Sequence, residues 1–337
     1  MKILITGGLG FIGSNFIRYW LQQHPNDEII NLDKVTYAAN FKSMVDVESN
    51  LNYSFVRGDI GDAQLVDKIM AQGIETIVHF AAESHVDRSI DDPSLFVKTN
   101  VLGTYVLLNA AAKYGVKRFH HISTDEVFGS IDFGSKKQFS ENTPYDPSSP
   151  YSASKASSDH LVRSFYKTFG LPITISNCSN NYGPYQHPEK MIPRSITNLL
   201  TGQKIKVYGK GLNFRDWLHV EDHCSAIEAI LLKGKIGETY CVGGLKKGTS
   251  NIDLVKTILE IMGKTEKDIE YVADRPAHDN YAVSWDKISK ELGWKPKYDL
   301  ESGLEQTIKW YTENQDWYQD TKREAEEFYI KLNKIKK

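Results

Sequence analysis

The chain has 337 residues, 40% hydrophobic and 25% charged, and its 41 basic and 43 acidic residues leave a net charge of -2. That balance excludes a general nucleic-acid binder, and the length suits one large α/β domain or two coupled ones. Cys178, Cys224 and Cys241 show no C-x-x-C spacing, which argues against a disulfide framework or zinc site and fits a reducing cytoplasm.

Lys2 to Thr6 reads as a short buried strand, followed by glycines and a helical pattern from Phe11 to Gln23. No basic leader precedes the strand, and no apolar run has the length of a bilayer span, so neither export nor a membrane is expected. Gly7, Gly10 and Gly13 stand at G-x-x-G-x-x-G spacing between this strand and helix. Glycines there let the backbone turn tightly and approach a pyrophosphate, and the helix N-terminus supplies N–H donors. Asp33 closes the next strand, where a carboxylate accepts hydrogen bonds from an adenosine ribose diol and repels a 2′-phosphate. NAD is therefore the expected cofactor.

Further strand patterns fall at residues 28–32, 53–56, 76–80, 118–123 and 172–177, with helical patterns at 63–71, 94–114 and 152–169. This alternation predicts a Rossmann-type doubly wound parallel sheet over residues 1–180. Loops rich in Asn, Gly and Pro mark residues 181–317 as a smaller α/β substrate-binding region able to return to the sheet in part. Residues 318–337 read as a charged surface helix or a frayed end.

Two segments carry chemistry. STDEVFG, Ser123 to Gly129, sets the hydroxyl of Thr124 beside Asp125 and Glu126. Successive strand residues face opposite ways, so both acids reach one substrate only if the chain leaves strand geometry near Thr124. YSASK places Tyr151 and Lys155 on one helix face. An adjacent ammonium favours the phenolate and is expected to lower the phenol's pKa, fitting Tyr151 to take a proton from a sugar hydroxyl as a hydride leaves the same carbon. His219 and His223 lack zincin order, and no metal is assigned.

The segments GGLGFIG, LDKVTYAAN, AAESHVDRSI, STDEVFG, YSASK, NCSNNYGPYQHPEK, NFRDWLHVEDH and DRPAHD together resemble the extended short-chain dehydrogenases, and within them the dTDP-glucose 4,6-dehydratases, from residue 2 to about 317. The resemblance implies oxidation of a nucleotide-glucose at C4, loss of water across C5 and C6, and reduction at C6, a step in making deoxysugars such as rhamnose. It gives Tyr151 as base at the C4 hydroxyl with help from Lys155 and Thr124, Glu126 as base at C5 and Asp125 as acid at the C6 hydroxyl.

It also implies cofactor contacts from Gly7, Gly10, Phe11, Ile12, Gly13, Asp33, Lys34, Val35, Thr36, Asp59, Ile60, Ala81, Ala82, Ser84, Thr99, Tyr151, Lys155 and Asn181. The nucleotide sugar would meet Ser84, Thr124, Asn180, Lys190, Met191, Lys206, Val207, Tyr208, Arg215, Asn251, Asp274, Arg275 and His278. A homodimer through helices 94–114 and 152–169 is implied as well. The chain departs from the pattern at Cys241 (usually Asn), at Ala277 (usually Gly), at Arg194 (usually apolar) and in residues 280–285, so the base and sugar stay open among dTDP, UDP, CDP and GDP forms. The rivals are a UDP-sugar 4-epimerase or decarboxylase, which has no use for the acid pair, and a non-catalytic NAD sensor, which has no use for a tuned phenol.

Overall fold

The computed structural model describes residues 1–132, 135, 137–245, 248–273 and 279–335. Seven parallel strands form one sheet. Six follow in chain order as β1 (Lys2–Thr6), β2 (Glu28–Asp33), β3 (Tyr53–Arg57), β4 (Thr76–His79), β5 (Arg118–Thr124) and β6 (Ile173–Cys178), and Thr239–Val242 adds the last edge. Their spatial order is Thr239–Val242, β6, β5, β4, β1, β2, β3. Helices cover both faces, so the central strands are buried on both sides: Ile3, Leu4 and Ile5 of β1 are all fully buried. The order reverses between β1 and β4, and that switch point opens the crevice where ligands bind in such sheets.

The helix Pro150–Phe169 has a well-marked start. Ser149 caps it through a reciprocal box with Ser152, Pro150 fills the first turn, and Gly170 ends it at φ +69°. The preceding long helix, Pro93–Tyr114, corrects one expectation. Its length and a mean hydropathy of 1.2 would by themselves allow a membrane crossing. It instead packs its inner face, with Leu107, Leu108 and Ala111, into the sheet core.

Three two-stranded pieces shape the second region. Asn180–Tyr182 pairs with Trp217–His219, Phe214–Arg215 with Thr249–Ser250, and Ile205–Tyr208 with Ile269–Val272. Their core gathers Tyr182, Ile192, Trp217, Leu254 and Tyr311 with Trp317 and Tyr318. The tail is a helix, Gln315–Ile335, with a buried side carrying Trp317, Tyr318, Ala325 and Tyr329, so its first half is neither frayed nor purely surface.

Candidate functional site

The first cavity lies over the ends of β1, β2, β4 and β5 and is lined by Gly7, Gly10, Gly13, Asp33, Ala81 and Tyr151, among others. Its floor is main chain. Gly7 sits at φ +75°, and a Cβ there would lie 2.6 Å from Ala81 N; one at Gly13 would lie 2.4 Å from Gly7 O. Neither neighbour is a flexible side-chain end that can yield, so glycine is required at both positions. The bare turn leaves the N-terminus of the helix Phe11–Gln23 open to the cavity, a fit for a dinucleotide's pyrophosphate. Asp33 accepts from Leu9 N at 2.9 Å and Val35 N at 2.8 Å, pinning the turn it also helps to line. Burial raises its pKa, and those two N–H groups oppose the rise. Asn31 makes a parallel brace, its Oδ1 accepting Gly8 N at 3.0 Å.

Where β5 ends, the required bend is present. Thr124 is still extended, and Asp125–Phe128 is a tight 3-10 turn capped by the Thr124 hydroxyl, which accepts Glu126 N at 3.3 Å. Gly129 completes the turn at φ +89°. The two acids thereby acquire different surroundings. Glu126 lines the first cavity and also the second. Asp125 is 1% exposed; its Oδ1 accepts the Thr124 hydroxyl at 3.3 Å, while its Oδ2 is buried without a hydrogen-bond partner among the described residues. Burial first, then the carboxylates of Glu126 and Asp216, hold its pKa well above the usual range. A carboxyl so placed holds its proton to a higher pH than an exposed one.

Tyr151 and Lys155 are both buried beside this turn. The expected lowering of the phenol is absent from the protein alone. Burial, then Glu126 and Cys178, push Tyr151 upward, and a hydrogen bond to Thr124 opposes them. The reason lies in where the ammonium points: Lys155 Nζ donates to Ile122 O at 2.7 Å and lies 3.4 Å from His121 Nε2. Burial lowers Lys155 to about 8, against the pull of Asp159. Asp159 is itself fully buried, 3.3 Å from His121 Nε2, and accepts from Ser123 Oγ at 2.9 Å and Tyr145 OH at 2.7 Å.

The second cavity adjoins the first and shares Ser84, Glu126, Asn180, Asn181, Glu189 and Lys190 with it. Its own wall brings Lys206, Val207 and Tyr208 from one strand together with Arg215 from another and Asn251 from the start of the helix Asn251–Ile261. Arg215 donates to Phe214 O at 2.9 Å and to Asp279 O, and its guanidinium lies 4.8 Å from the Tyr281 ring centre. Lys190, Lys206 and Arg215 make this the cationic end, suited to a diphosphate.

A family model described as GDP-mannose 4,6 dehydratase matches residues 4–307. The dTDP-glucose 4,6-dehydratase of Mycobacterium tuberculosis is 48% identical over 331 residues, covering 98% of both chains. That of Shigella flexneri is 48% identical, covering 99% of both. This chain belongs to the dTDP-glucose 4,6-dehydratase family. Among solved structures, the Bacillus anthracis dTDP-glucose 4,6-dehydratase in complex with NAD superposes with a TM-score of 0.89 at 46% identity, covering 95% of this chain and 99% of that one. The UDP-glucose 4-epimerase of Thermotoga maritima reaches 0.86 at 29%, covering 94% and 100%. Fold alone therefore cannot separate dehydratase from epimerase; the acid pair must.

Within this dehydratase-family chain, every expected cofactor residue lines the first cavity except Val35, which sits at φ +63° with its N–H on Asp33. The expected substrate residues line the second cavity apart from Thr124, which lines the first; Asp274, Arg275 and His278, with Ala277, fall outside the described residues. Asp125 lines neither cavity. Sequence reasoning missed Asn31, Glu83, Glu189, Asn198, Tyr281 and Tyr329. Two of them carried a signal: Glu83 stands between Ala82 and Ser84 in AAESHVDRSI, and Glu189 stands in PEK beside Lys190. Asn100 was also missed: from a π-helical stretch, Val97–Gly103, its amide holds Glu83 N at 2.9 Å and Ser154 Oγ at 2.8 Å, joining the cavity rim to the Tyr151 helix. Cys241 packs fully buried with Val127, Phe128 and Ala156 against the acid turn. Asn280, in the atypical 280–285 segment, bridges Phe214 N and Ile131 O. His223 Nδ1 lies 2.8 Å from Asn181 Oδ1, and the His219 ring lies against Tyr298, so both have protein neighbours that explain them.

Proposed function

We propose that this protein is an NAD-dependent dTDP-glucose 4,6-dehydratase, a hydro-lyase that converts the nucleotide sugar to its 4-keto-6-deoxy form. The observation that carries this reading is the unlike pair at the acid turn: Glu126 faces both cavities while its neighbour Asp125 is buried, with its affinity for a proton raised by burial and by Glu126 and Asp216. Elimination of water needs one base and one acid, whereas an epimerase needs neither. The bare glycine turn and Asp33 fit NAD, which accepts a hydride from C4 and returns it to C6. NAD-bound crystal structures of similar dehydratases support the same cofactor.

In the proposed cycle Tyr151 takes the C4 hydroxyl proton, assisted by the Lys155 ammonium and Thr124. The ketone then acidifies the C5 hydrogen, so Glu126 removes it with ordinary carboxylate basicity. Asp125 gives its proton to the departing C6 hydroxyl, which leaves as water, and Glu126 returns a proton to C5 as C6 is reduced. Each turnover leaves Tyr151 one proton richer and Asp125 one poorer. Thr124, bonded to both, spans the gap across which that proton must pass.

The reading extends to assembly and setting. Val97, Leu102 and Tyr105 on one helix and Tyr166 and Phe169 on the other are large apolar side chains left 38 to 64% exposed, a face suited to a homodimer. The three cysteines are free and buried, in keeping with a reducing cytoplasm. Incubation with dTDP-glucose, beside UDP-, CDP- and GDP-glucose, is expected to give the 4-keto-6-deoxy product from the dTDP form without added reduced cofactor. Asp125→Asn and Glu126→Gln should still reduce bound NAD but lose elimination by about 10²–10⁴-fold. A C4 epimer as product, or full turnover by both variants, would overturn the reading.

A further inference from the structure

We infer that the C-terminal helix, Gln315–Ile335, is a working wall of the nucleotide-sugar cavity and that Tyr329 and Arg194 set its affinity for the nucleoside diphosphate half of the ligand. The inference rests on the proposed dehydratase reading. Nothing in the family pattern assigns a role to residue 329, and position 194 is one where the resemblance led us to expect an apolar side chain.

Both residues line the second cavity. The Arg194 guanidinium lies 3.9 Å from the Tyr329 ring centre, and its Nε and Nη2 donate to the two Glu326 oxygens at 2.8 and 2.9 Å. With its charge matched by a carboxylate on the same helix, Arg194 adds a stacked surface rather than another phosphate clamp. The Tyr329 hydroxyl donates to Glu189 O at 3.1 Å, one residue before Lys190, which fixes the ring against the cavity. Tyr208, on the same wall, is close enough to interact electrostatically with both Arg194 and Tyr329.

The helix is anchored ahead of this wall. Lys322 Nζ donates to Asn198 Oδ1 at 2.6 Å and Thr197 Oγ1 at 3.1 Å, and Asn198 is another lining residue. At its start, Asn40 donates to Trp317 O at 3.1 Å, and Trp317 Nε1 to Ser43 Oγ at 3.1 Å. A flat aromatic–guanidinium surface beside Tyr208, with Lys206 and Arg215 on the same cavity, has the chemistry to hold a nucleoside while the cations hold its diphosphate. The chemistry itself belongs to Glu126 and Tyr151 and needs no contact from this helix.

Calorimetric titration with dTDP, together with steady-state turnover of dTDP-glucose, tests the wall. Tyr329→Ala and Arg194→Leu are each expected to weaken dTDP binding and raise KM about tenfold, the size of one lost aromatic contact. kcat and bound NAD should stay near wild type, and Tyr329→Phe should keep most of the affinity. Should Tyr329→Ala loosen the helix, Arg194→Leu carries the test, since its lost ion pair is partly exposed. Unchanged dTDP affinity in a folded Arg194→Leu or Tyr329→Ala protein overturns the inference, as does a fall in kcat at constant KM. Because dTDP binding is read separately, inactivity of the wild type on every nucleotide-glucose would sink the dehydratase reading while leaving the wall testable.

Discussion

The cofactor cavity and the nucleotide-sugar cavity adjoin, yet they are built from different material. The first has a main-chain floor from a short span: Gly7, Gly10 and Gly13 shape it, and Asn31 and Asp33 brace it from the next strand. The second is side chain, assembled from residues as far apart in sequence as Ser84, Lys190, Arg215, Asn251 and Tyr329. A backbone-built site serves one ligand and tolerates almost nothing. A side-chain-built site can be retuned residue by residue, and two departures from the family pattern, Arg194 and Tyr281 of the 280–285 segment, stand on its wall, whereas Cys241 packs against the acid turn.

The sharpest way to break that comparison is to add one methyl group to the first cavity. Gly13→Ala places a Cβ 2.4 Å from Gly7 O and 2.8 Å from Gly8 Cα, backbone atoms that cannot rotate away. NAD retention, read from the cofactor released on denaturation, is expected to fall by about a hundredfold or more, with activity lost alongside. No single truncation on the second cavity's wall should approach that loss. A Gly13→Ala protein that keeps its NAD would show the two cavities to be equally forgiving.

The same contrast explains what the sequence disclosed. The glycine turn, Asp33, the acid turn and Tyr151–Lys155 were legible because each is a local pattern whose geometry follows from spacing alone. The bend at Thr124 was deducible from strand alternation, and the 3-10 turn supplies it. The tail was misread because its charge pattern hides a buried side whose partners, Glu189 and Arg194, lie more than a hundred residues away. The Tyr151 pKa failed for a different reason. Helix spacing puts Lys155 on the right face, but only the fold shows its ammonium turned to Ile122 O.

A middle-sized effect probes the catalytic helix, which serves both cavities. Lys155 is held to about 8, so as pH rises through that value the ammonium that assists Tyr151 in the proposed cycle is lost. The rate of C4 oxidation, followed as NAD reduction in a single turnover, should therefore decline above about pH 8, nearing tenfold per unit. Asp159 is the main charge that raises the Lys155 pKa against burial. Asp159→Asn should move the alkaline limb to lower pH, and a limb that stays in place would remove Asp159 from that role.

The smallest effect is on stability and runs opposite to activity. Asp125 has a folded pKa raised well above its unfolded value, first by burial and then by Glu126 and Asp216. As pH rises past about 4 the unfolded chain releases this proton before the folded chain does, so the native state binds more protons there and its stability falls as pH rises. Asn has nearly the same shape and no proton to retain. Asp125→Asn should thus melt about 3 °C higher at pH 7 while losing elimination, and the gain should vanish as pH falls towards 4. A melting temperature that is lower at pH 7, or a gain unchanged at pH 4, would mean that Asp125 is held ionised and is no acid. Either result would strike at the pair that distinguishes this site from an epimerase, whereas the predicted one shows the fold giving up stability to keep a proton where water must leave.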